Sequence, residues 1–267
     1  MPIFFLTPEA RGDASPGRAA LVGEALTITG QLARHLGASL RHRPGDRITV
    51  VDDANTRCVI ELTEVRPARI DAIVRERLGG IAPPRLSITL AQAILKSSHM
   101  EHVLQKATEL GVERFTPLVT RRTVIRPRRE RELRQLERWR TILLEAAQQS
   151  GRGWLPLIEA PLDFESFCTK TASDPDAVRL LFWEEERARG LRETLERRPT
   201  PSRALVVVGP EGGFDRDEVA LASKIGIIPV SLGDATLRAE TAGPVAATIL
   251  QYHWGDLGRR PSDGRTI

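Results

Sequence analysis

Aromatic residues are scarce in this sequence: they make up 4% of 267 residues, with a single tyrosine. Extensive stacking of nucleic-acid bases on aromatic platforms is therefore not expected. Cysteine is scarcer still. Cys58 and Cys168 form no CxxC pair, which indicates neither a disulfide framework nor a zinc site and fits a reducing cytosol. His99 and His102 sit three apart without an acidic or cysteine cluster, so they read as surface or packing residues rather than metal ligands. No apolar run approaches the ~20 residues of a membrane-spanning helix. The stretch Met1-Pro2-Ile3-Phe4-Phe5-Leu6 has no basic n-region and is too short in its apolar part for a signal peptide. A cytoplasmic protein is expected, with neither membrane nor metal as a partner. Two nucleotide signatures are also missing: neither G-x-G-x-x-G nor G-x-x-x-x-G-K-[ST] occurs.

What is present is enough for a sizeable core. Hydrophobic residues make up 41%, and the length suits one or two domains. The formal charge of +4 is unevenly placed. Residues 121–140 hold nine arginines and three glutamates, a local excess of six that leaves the rest of the chain two short of neutral. A basic block on a near-neutral body points to a polyanionic partner at one face.

Two textures divide the chain. Residues 1–78 read as mostly β. Arg47–Asp52 and Cys58–Val65 form a hairpin introduced by Pro44-Gly45-Asp46, Ala68–Arg75 alternates again, and a helix lies around Gly30–Leu40. Several short strands in so few residues predict a small barrel. Gly79-Gly80 and Pro83-Pro84 punctuate the boundary. Residues 82–254 then alternate strands and helices, which predicts a mostly parallel sheet covered on both faces. The strands are Leu86–Ala91, Phe115–Val119, Ala177–Trp183, Leu205–Val208 and Ile227–Leu232. Ser98–Glu101 reads as a capping box for a helix that Gly111 stops, and Asp215 with Glu218 caps the helix that Gly226 ends. A long helix over Glu130–Gln149 has Leu133, Leu136, Trp139 and Leu143 on its apolar side, and the last helix spans Thr241–Trp254, with Pro244 in its first turn. Residues 255–267 form a polar tail.

The chemistry concentrates where two apolar strands end. Leu205–Val208 leads into Gly209-Pro210-Glu211-Gly212-Gly213, and Ile227–Val230 leads into Leu232-Gly233 and Leu237-Arg238-Ala239-Glu240-Thr241-Ala242. Loops at the carboxyl edge of a parallel sheet build a ligand crevice. A phosphate cradle needs consecutive backbone donors, usually with a lysine. Here a proline removes one donor and a glutamate adds negative charge, so a dinucleotide or triphosphate is disfavoured.

These motifs resemble the SPOUT methyltransferases and, within them, the RsmE family of 16S rRNA uridine N3-methyltransferases. The resemblance runs through most of the chain. It is most specific at Lys106–Val112, Glu145–Arg152, Gly209–Gly213 and Leu237–Ala242, in the family's order. The chain departs from the family at Pro2-Ile3-Phe4-Phe5, where an arginine pair is usual, at Ser39 before Leu40, and at Ala239 within Leu-Arg-Ala-Glu-Thr. The resemblance implies an N-terminal PUA-like β-barrel that binds RNA, an α/β domain with a C-terminal trefoil knot, and a homodimer. It implies S-adenosylmethionine as cofactor, held by Gly209, Pro210, Glu211, Gly212, Gly213, Leu232, Gly233 and Leu237. The substrate it implies is 16S rRNA within the 30S subunit, with Arg238 and Glu240 as catalytic residues. Arg41, Arg43, Lys96, Arg121, Arg122, Arg126 and Arg128 are the candidate phosphate contacts. Action on tRNA or on a ribose 2′-hydroxyl, and a non-catalytic role in ribosome assembly, remain open at this point.

Overall fold

The structure, a computed structural model, describes residues 3–11, 19–52, 54–126, 129–171 and 176–259. Arg128 and most of the polar tail lie outside the described residues. The chain divides into two compact units, one of residues 1–83 with 147–155, the other of residues 84–146 with 156–266.

The first unit contains β1 (Ile3–Phe5), α1 (Pro8–Arg11), β2 (Ala25–Thr29), α2 (Gly30–Arg34), β3 (Arg47–Val51), β4 (Thr56–Arg66) and β5 (Arg69–Gly80). Its sheet runs β1-β3-β4-β5-β2, antiparallel except for the β1–β3 pair. Strand β4 shows why these residues choose a strand. Thr56, Cys58, Ile60 and Leu62 are buried while the residues between them are half-exposed, the period of two that one apolar sheet face requires. Ile48, Val50, Ile70 and Val74 from neighbouring strands complete that core with Leu32 and Leu36. The buried Asp52 carboxylate accepts the N–H groups of Ala20, Ala54 and Thr56 at 2.9–3.0 Å, so it carries no unsatisfied charge. After α2 the chain makes a π-helical turn, His35–Ser39, and reaches Arg41 in a left-handed conformation at φ 57°. Asp46 shapes this loop: it accepts the Arg43 N–H at 2.9 Å and faces His42 Nδ1 at 3.0 Å. The Arg43 N–H, followed by His42, holds the Asp46 carboxyl below the usual carboxylate range.

The second unit follows as β6 (Ser87–Ala93), α3 (Ser97–Glu109), β7 (Val112–Val119), α4 (Arg129–Gln149), β8 (Leu157–Ile158), β9 (Leu162–Asp163), α5 (Phe164–Thr171), β10 (Ala177–Phe182), α6 (Leu191–Glu196), β11 (Arg203–Val208), α7 (Arg216–Lys224), β12 (Ile228–Val230) and α8 (Ala239–His253). Every strand pair here is parallel, in the order β12-β10-β11-β6-β7-β8 with β9 also on β7. Strand β11 lies inside this sheet and is buried from Ala204 to Val208. Its alternate residues serve two cores. Ala204, Val206 and Val208 pack with α3, α6 and α8, whereas Leu205 and Val207 pack with α5 and α7. A strand covered on both faces needs an unbroken apolar run, which is the pattern the sequence shows. Asp215 and Glu218 form a complete capping box on α7.

Three local expectations are corrected. Helix α3 begins at Ser97 with Lys96 as its N-cap, and no side chain caps it. Glu101 is turned instead to Arg138 of α4, which donates through Nε at 2.6 Å and Nη2 at 2.8 Å. A bidentate guanidinium outweighs one backbone N–H. Leu133 of α4 is 73% exposed rather than part of the apolar side. Helix α8 starts at Ala239, so Pro244 sits in its second turn and has no N–H to give the Glu240 carbonyl. Among the described residues no helix is long and apolar enough to cross a membrane.

The Arg138 guanidinium holds the Glu101 carboxyl below its usual range. A lowered carboxylate pKa stabilises the fold above the unfolded-state value, and that contribution vanishes as pH falls through the folded-state value. Glu101→Gln should therefore cost about 0.5–1 kcal/mol at neutral pH. In urea denaturation the gap from wild type should close as the pH drops below about 4.

Candidate active site

A cavity of about 590 Å³ opens at the carboxyl ends of β10, β11 and β12. Each strand delivers one wall. Strand β10 ends in Phe182 and Trp183, β11 in the loop Gly209–Gly213, and β12 in the segment Ser231–Arg238, which runs into the first turn of α8. The fold thus brings together residues some 30 positions apart. Gly209, Pro210, Glu211, Gly212, Gly213, Leu232, Gly233, Leu237, Arg238 and Glu240 all line this one cavity.

The glycine loop is held tightly. A Cβ on Gly209 would lie 3.1 Å from the ring of Phe214, which is fully buried and packs, tilted by 50°, with its centroid 5.5 Å from that of Phe164. Gly213 takes φ 69°, and a Cβ there would run into the Glu184 carboxylate. The Gly209 carbonyl accepts from the buried Gln92 amide at 3.3 Å, and the Gly212 carbonyl accepts from Arg122 Nη1 at 3.0 Å. The Glu211 carboxylate accepts the Lys96 N–H at 3.3 Å, at the first turn of α3. That is where the partial positive charge of a helix N-terminus favours an anion. The glutamate that makes the loop a poor phosphate cradle thus ties it to the neighbouring helix.

The polar groups of the cavity converge near the start of α8. Glu240 is 15% exposed and lies 3.8 Å from Arg238 Nη1 through one oxygen and 3.8 Å from His99 Nδ1 through the other. His99 also approaches Glu211 at 3.8 Å. Arg238 itself is 85% exposed and faces the open side. The sequence reading placed His99 among surface or packing residues; the structure corrects this, because the start of α3 carries it into the cavity wall. Trp183, Glu184 and Arg187 also line the cavity and were not singled out. Their signal lies in the sequence, since Trp183 ends the expected strand Ala177–Trp183 and Glu184 and Arg187 come just after it.

A test of fit favours a cationic, partly apolar ligand. Three carboxylates (Glu184, Glu211 and Glu240) share the lining with apolar walls from Phe182, Val208, Leu232 and Leu237. No lysine lines it. Two buried polar atoms, His99 Nδ1 and Trp183 Nε1, have no hydrogen-bond partner among the described residues. The volume falls in the range of cofactor sites. Among the described residues no group of three or more side chains could hold a metal ion.

The basic candidates fare differently from one another. Arg121 pairs with Asp215 at 2.8 Å and Asp217 at 2.7 Å, and its N–H donates to the buried Glu218. Arg122 reaches Gly212 and stands 3.8 Å from Asp215. Both side chains therefore fasten the turn after β7 to the start of α7. Arg41, Arg43, Lys96 and Arg126 have exposed side chains.

Comparison with known proteins agrees with this geometry. Residues 82–251 match the model of an RNA methyltransferase domain. The chain is 35% identical over 226 residues to ribosomal RNA small subunit methyltransferase E of Synechocystis, covering 85% of this chain and 72% of that one. It is 27% identical over 230 residues to the Bacillus subtilis protein of the same name, covering 85% and 89%. The fold superposes with a TM-score of 0.82 on ribosomal RNA small subunit methyltransferase E of Neisseria gonorrhoeae bound to S-adenosyl methionine, at 29% identity over 96% of this chain and 99% of that one. A putative methyltransferase of Legionella pneumophila in complex with the same cofactor gives 0.84, also at 29% identity, with 96% and 99% covered. The chain belongs to the ribosomal RNA small subunit methyltransferase E family.

Proposed function

We propose that this protein methylates N3 of a uridine in 16S rRNA of the small ribosomal subunit, with S-adenosylmethionine as methyl donor. One observation carries the reading. Two glycine loops and the first turn of α8 converge on a carboxylate-lined, lysine-free cavity, in a family with solved members that hold this cofactor in the same fold. Gly209–Gly213, Leu232, Gly233 and Leu237 would hold the cofactor, with their backbone and apolar side chains suited to a flat base and the nearby carboxylates to its positive charge. When bound, it supplies an electrophilic methyl group on a sulfonium.

The chain's own residues must prepare the other reactant. Uracil N3 carries a proton and attacks poorly until that proton leaves. Glu240, little exposed and flanked by His99, is placed to orient the base and take up that proton. Arg238, open to solvent at the cavity edge, is placed to stabilise the negative charge that develops on the uracil oxygens.

The architecture implied by the family belongs to the same proposal. Residues 1–78 would form a PUA-like RNA-binding barrel, 82–254 a trefoil-knotted SPOUT domain and 255–267 a loose tail. The homodimer that the resemblance implies belongs to the same reading. Arg41, Arg43, Lys96, Arg126 and Arg128 would meet RNA phosphates, with Arg121 and Arg122 acting there only beside their internal partners. The site of action would be the cytoplasm.

Two measurements test this reading. Gly209→Ala, which places a Cβ 3.1 Å from the buried Phe214 ring, should weaken S-adenosylmethionine binding at least ~10-fold in calorimetry. Arg238→Ala should lower kcat on 30S subunits roughly 10²–10³-fold while cofactor binding persists, and Glu240→Gln should do likewise. Full activity in both variants would remove these residues from the mechanism. Loss of the encoding gene should erase one 3-methyluridine from 16S rRNA digests in mass spectrometry.

A further inference from the structure

The face of the parallel sheet that packs against α5 and α7 changes character along its strands. Near the carboxyl ends, Leu181, Val207 and Ala91 lie side by side on β10, β11 and β6 and belong to the apolar core with α5 and α7. Two residues earlier the same register places Arg179, Leu205, Thr89 and Arg114 side by side on β10, β11, β6 and β7. Side chains alternate along a strand, so both rows point to one face. Around the buried Leu205 this face opens into a second cavity of about 360 Å³, rimmed by Lys170 of α5 and by Arg203.

The charges of this basin are only partly compensated. Arg114 pairs with Glu159 at 3.0 Å, whose other oxygen accepts the Thr116 hydroxyl. Arg203 stands 3.6 Å from Asp176. The Ser87 hydroxyl is engaged with Glu113. That leaves two cations. Arg179 donates Nη1 to the Thr171 carbonyl at 3.2 Å and makes no ion pair among the described residues. Lys170 is exposed and forms no ion pair there either. A guanidinium, an ammonium and the Thr89 hydroxyl line one concavity, built by residues from five strands and a helix. A fork of donors with a point charge beside it recognises tetrahedral phosphate oxygens.

We propose that this basin holds a backbone phosphate of the RNA substrate, an anchoring site separate from the cavity where the methyl group is transferred. The identity of the ligand as RNA rests on the function proposed above. The basin sits at the amino halves of β10 and β11, two of the strands whose carboxyl ends form the cofactor cavity. On β11, Arg203 and Gly209 are six residues apart, roughly 20 Å at ~3.3 Å per residue. A phosphate held here belongs to a nucleotide well away from the reacting base, so the site contributes to affinity and not to chemistry.

The test uses Lys170→Glu and Arg179→Gln, alone and together, in the full-length protein. Binding of a 16S rRNA fragment is followed by filter retention across a salt series, and S-adenosylmethionine binding by calorimetry. The double variant should bind RNA at least ~10-fold more weakly, with the log–log salt slope smaller in magnitude by about one to two. Cofactor affinity should be unchanged. RNA affinity and slope equal to wild type would overturn the proposal. Should Arg179→Gln fail to fold, Lys170→Glu carries the test alone, with a slope change of about one. Saturable binding of uridine monophosphate to the basin, with RNA affinity unaffected by the substitutions, would assign it to a small phosphate ester and overturn the RNA reading. A failure of the methyltransferase assignment is separately visible as loss of cofactor binding in the wild type.

Discussion

Gly209 has no side chain because the ring of Phe214 already occupies the space, 3.1 Å from where a Cβ would stand. Phe214 is buried in the core with Phe164 and Leu205, so a Cβ at Gly209 would require that ring to shift by a few tenths of an ångström. The turn after β11 is therefore set by the core beneath it together with its own bond from the Gly213 N–H to the Pro210 carbonyl. From that fixed point three contacts carry the geometry outward: Gln92 to the Gly209 carbonyl, Arg122 to the Gly212 carbonyl, and the Lys96 N–H to Glu211. These three partners stand on β6, after β7 and before α3. A loop fixed to three neighbouring segments loses little further entropy when a ligand binds, which is what preorganisation means for affinity.

The same restraints decide what kind of ligand fits. A loop that offered its N–H groups to a phosphate would need them free, and would not place carboxylates beside them. Here Pro210 has no N–H, the Gly213 N–H is turned back to the Pro210 carbonyl at 2.9 Å, and Glu184 crowds the same glycine. The remaining polar character is acidic. In a partly enclosed site such charges act at reduced dielectric, so three carboxylates against the guanidiniums of Arg187 and Arg238 favour a compact cation over a polyanion. The chemistry of the wall and the identity of the cofactor thus point the same way by independent routes.

What could be read from the sequence was local. The run Leu205–Val208 announces a strand covered on both faces, and the structure buries it from Ala204 onward. The Asp215–Glu218 capping box was legible because both partners lie within one helical turn. The glycine loops were legible as the ends of apolar strands. What escaped depended on partners far along the chain. Ser98–Glu101 has the form of a capping box, yet Glu101 belongs to Arg138. The first arginines of the basic block look free for RNA, yet Arg121 is paired with Asp215 and Asp217, 94 and 96 residues away. His99 looked idle because Glu211 and Glu240, its neighbours in the cavity, come from two other loops.

Charge shows most clearly why contiguity in sequence misleads. The arginines that cluster in the chain begin with two that are tied to the start of α7, whereas Arg114, Arg179 and Arg203, scattered over 90 residues, are gathered by strand register onto one face. An enzyme that takes a cationic cofactor and a polyanionic substrate faces opposing electrostatic demands. A carboxylate-lined cavity repels phosphates, and a basic surface at the cavity would repel the sulfonium. Separation along the strands resolves the conflict. At physiological ionic strength fields between exposed charges decay over about 8 Å, less than half of the roughly 20 Å that a six-residue stretch of strand provides. An acidic pocket at one end of the sheet and a basic basin at the other can therefore each keep their own sign of potential, and the parallel sheet is the spacer that holds them apart.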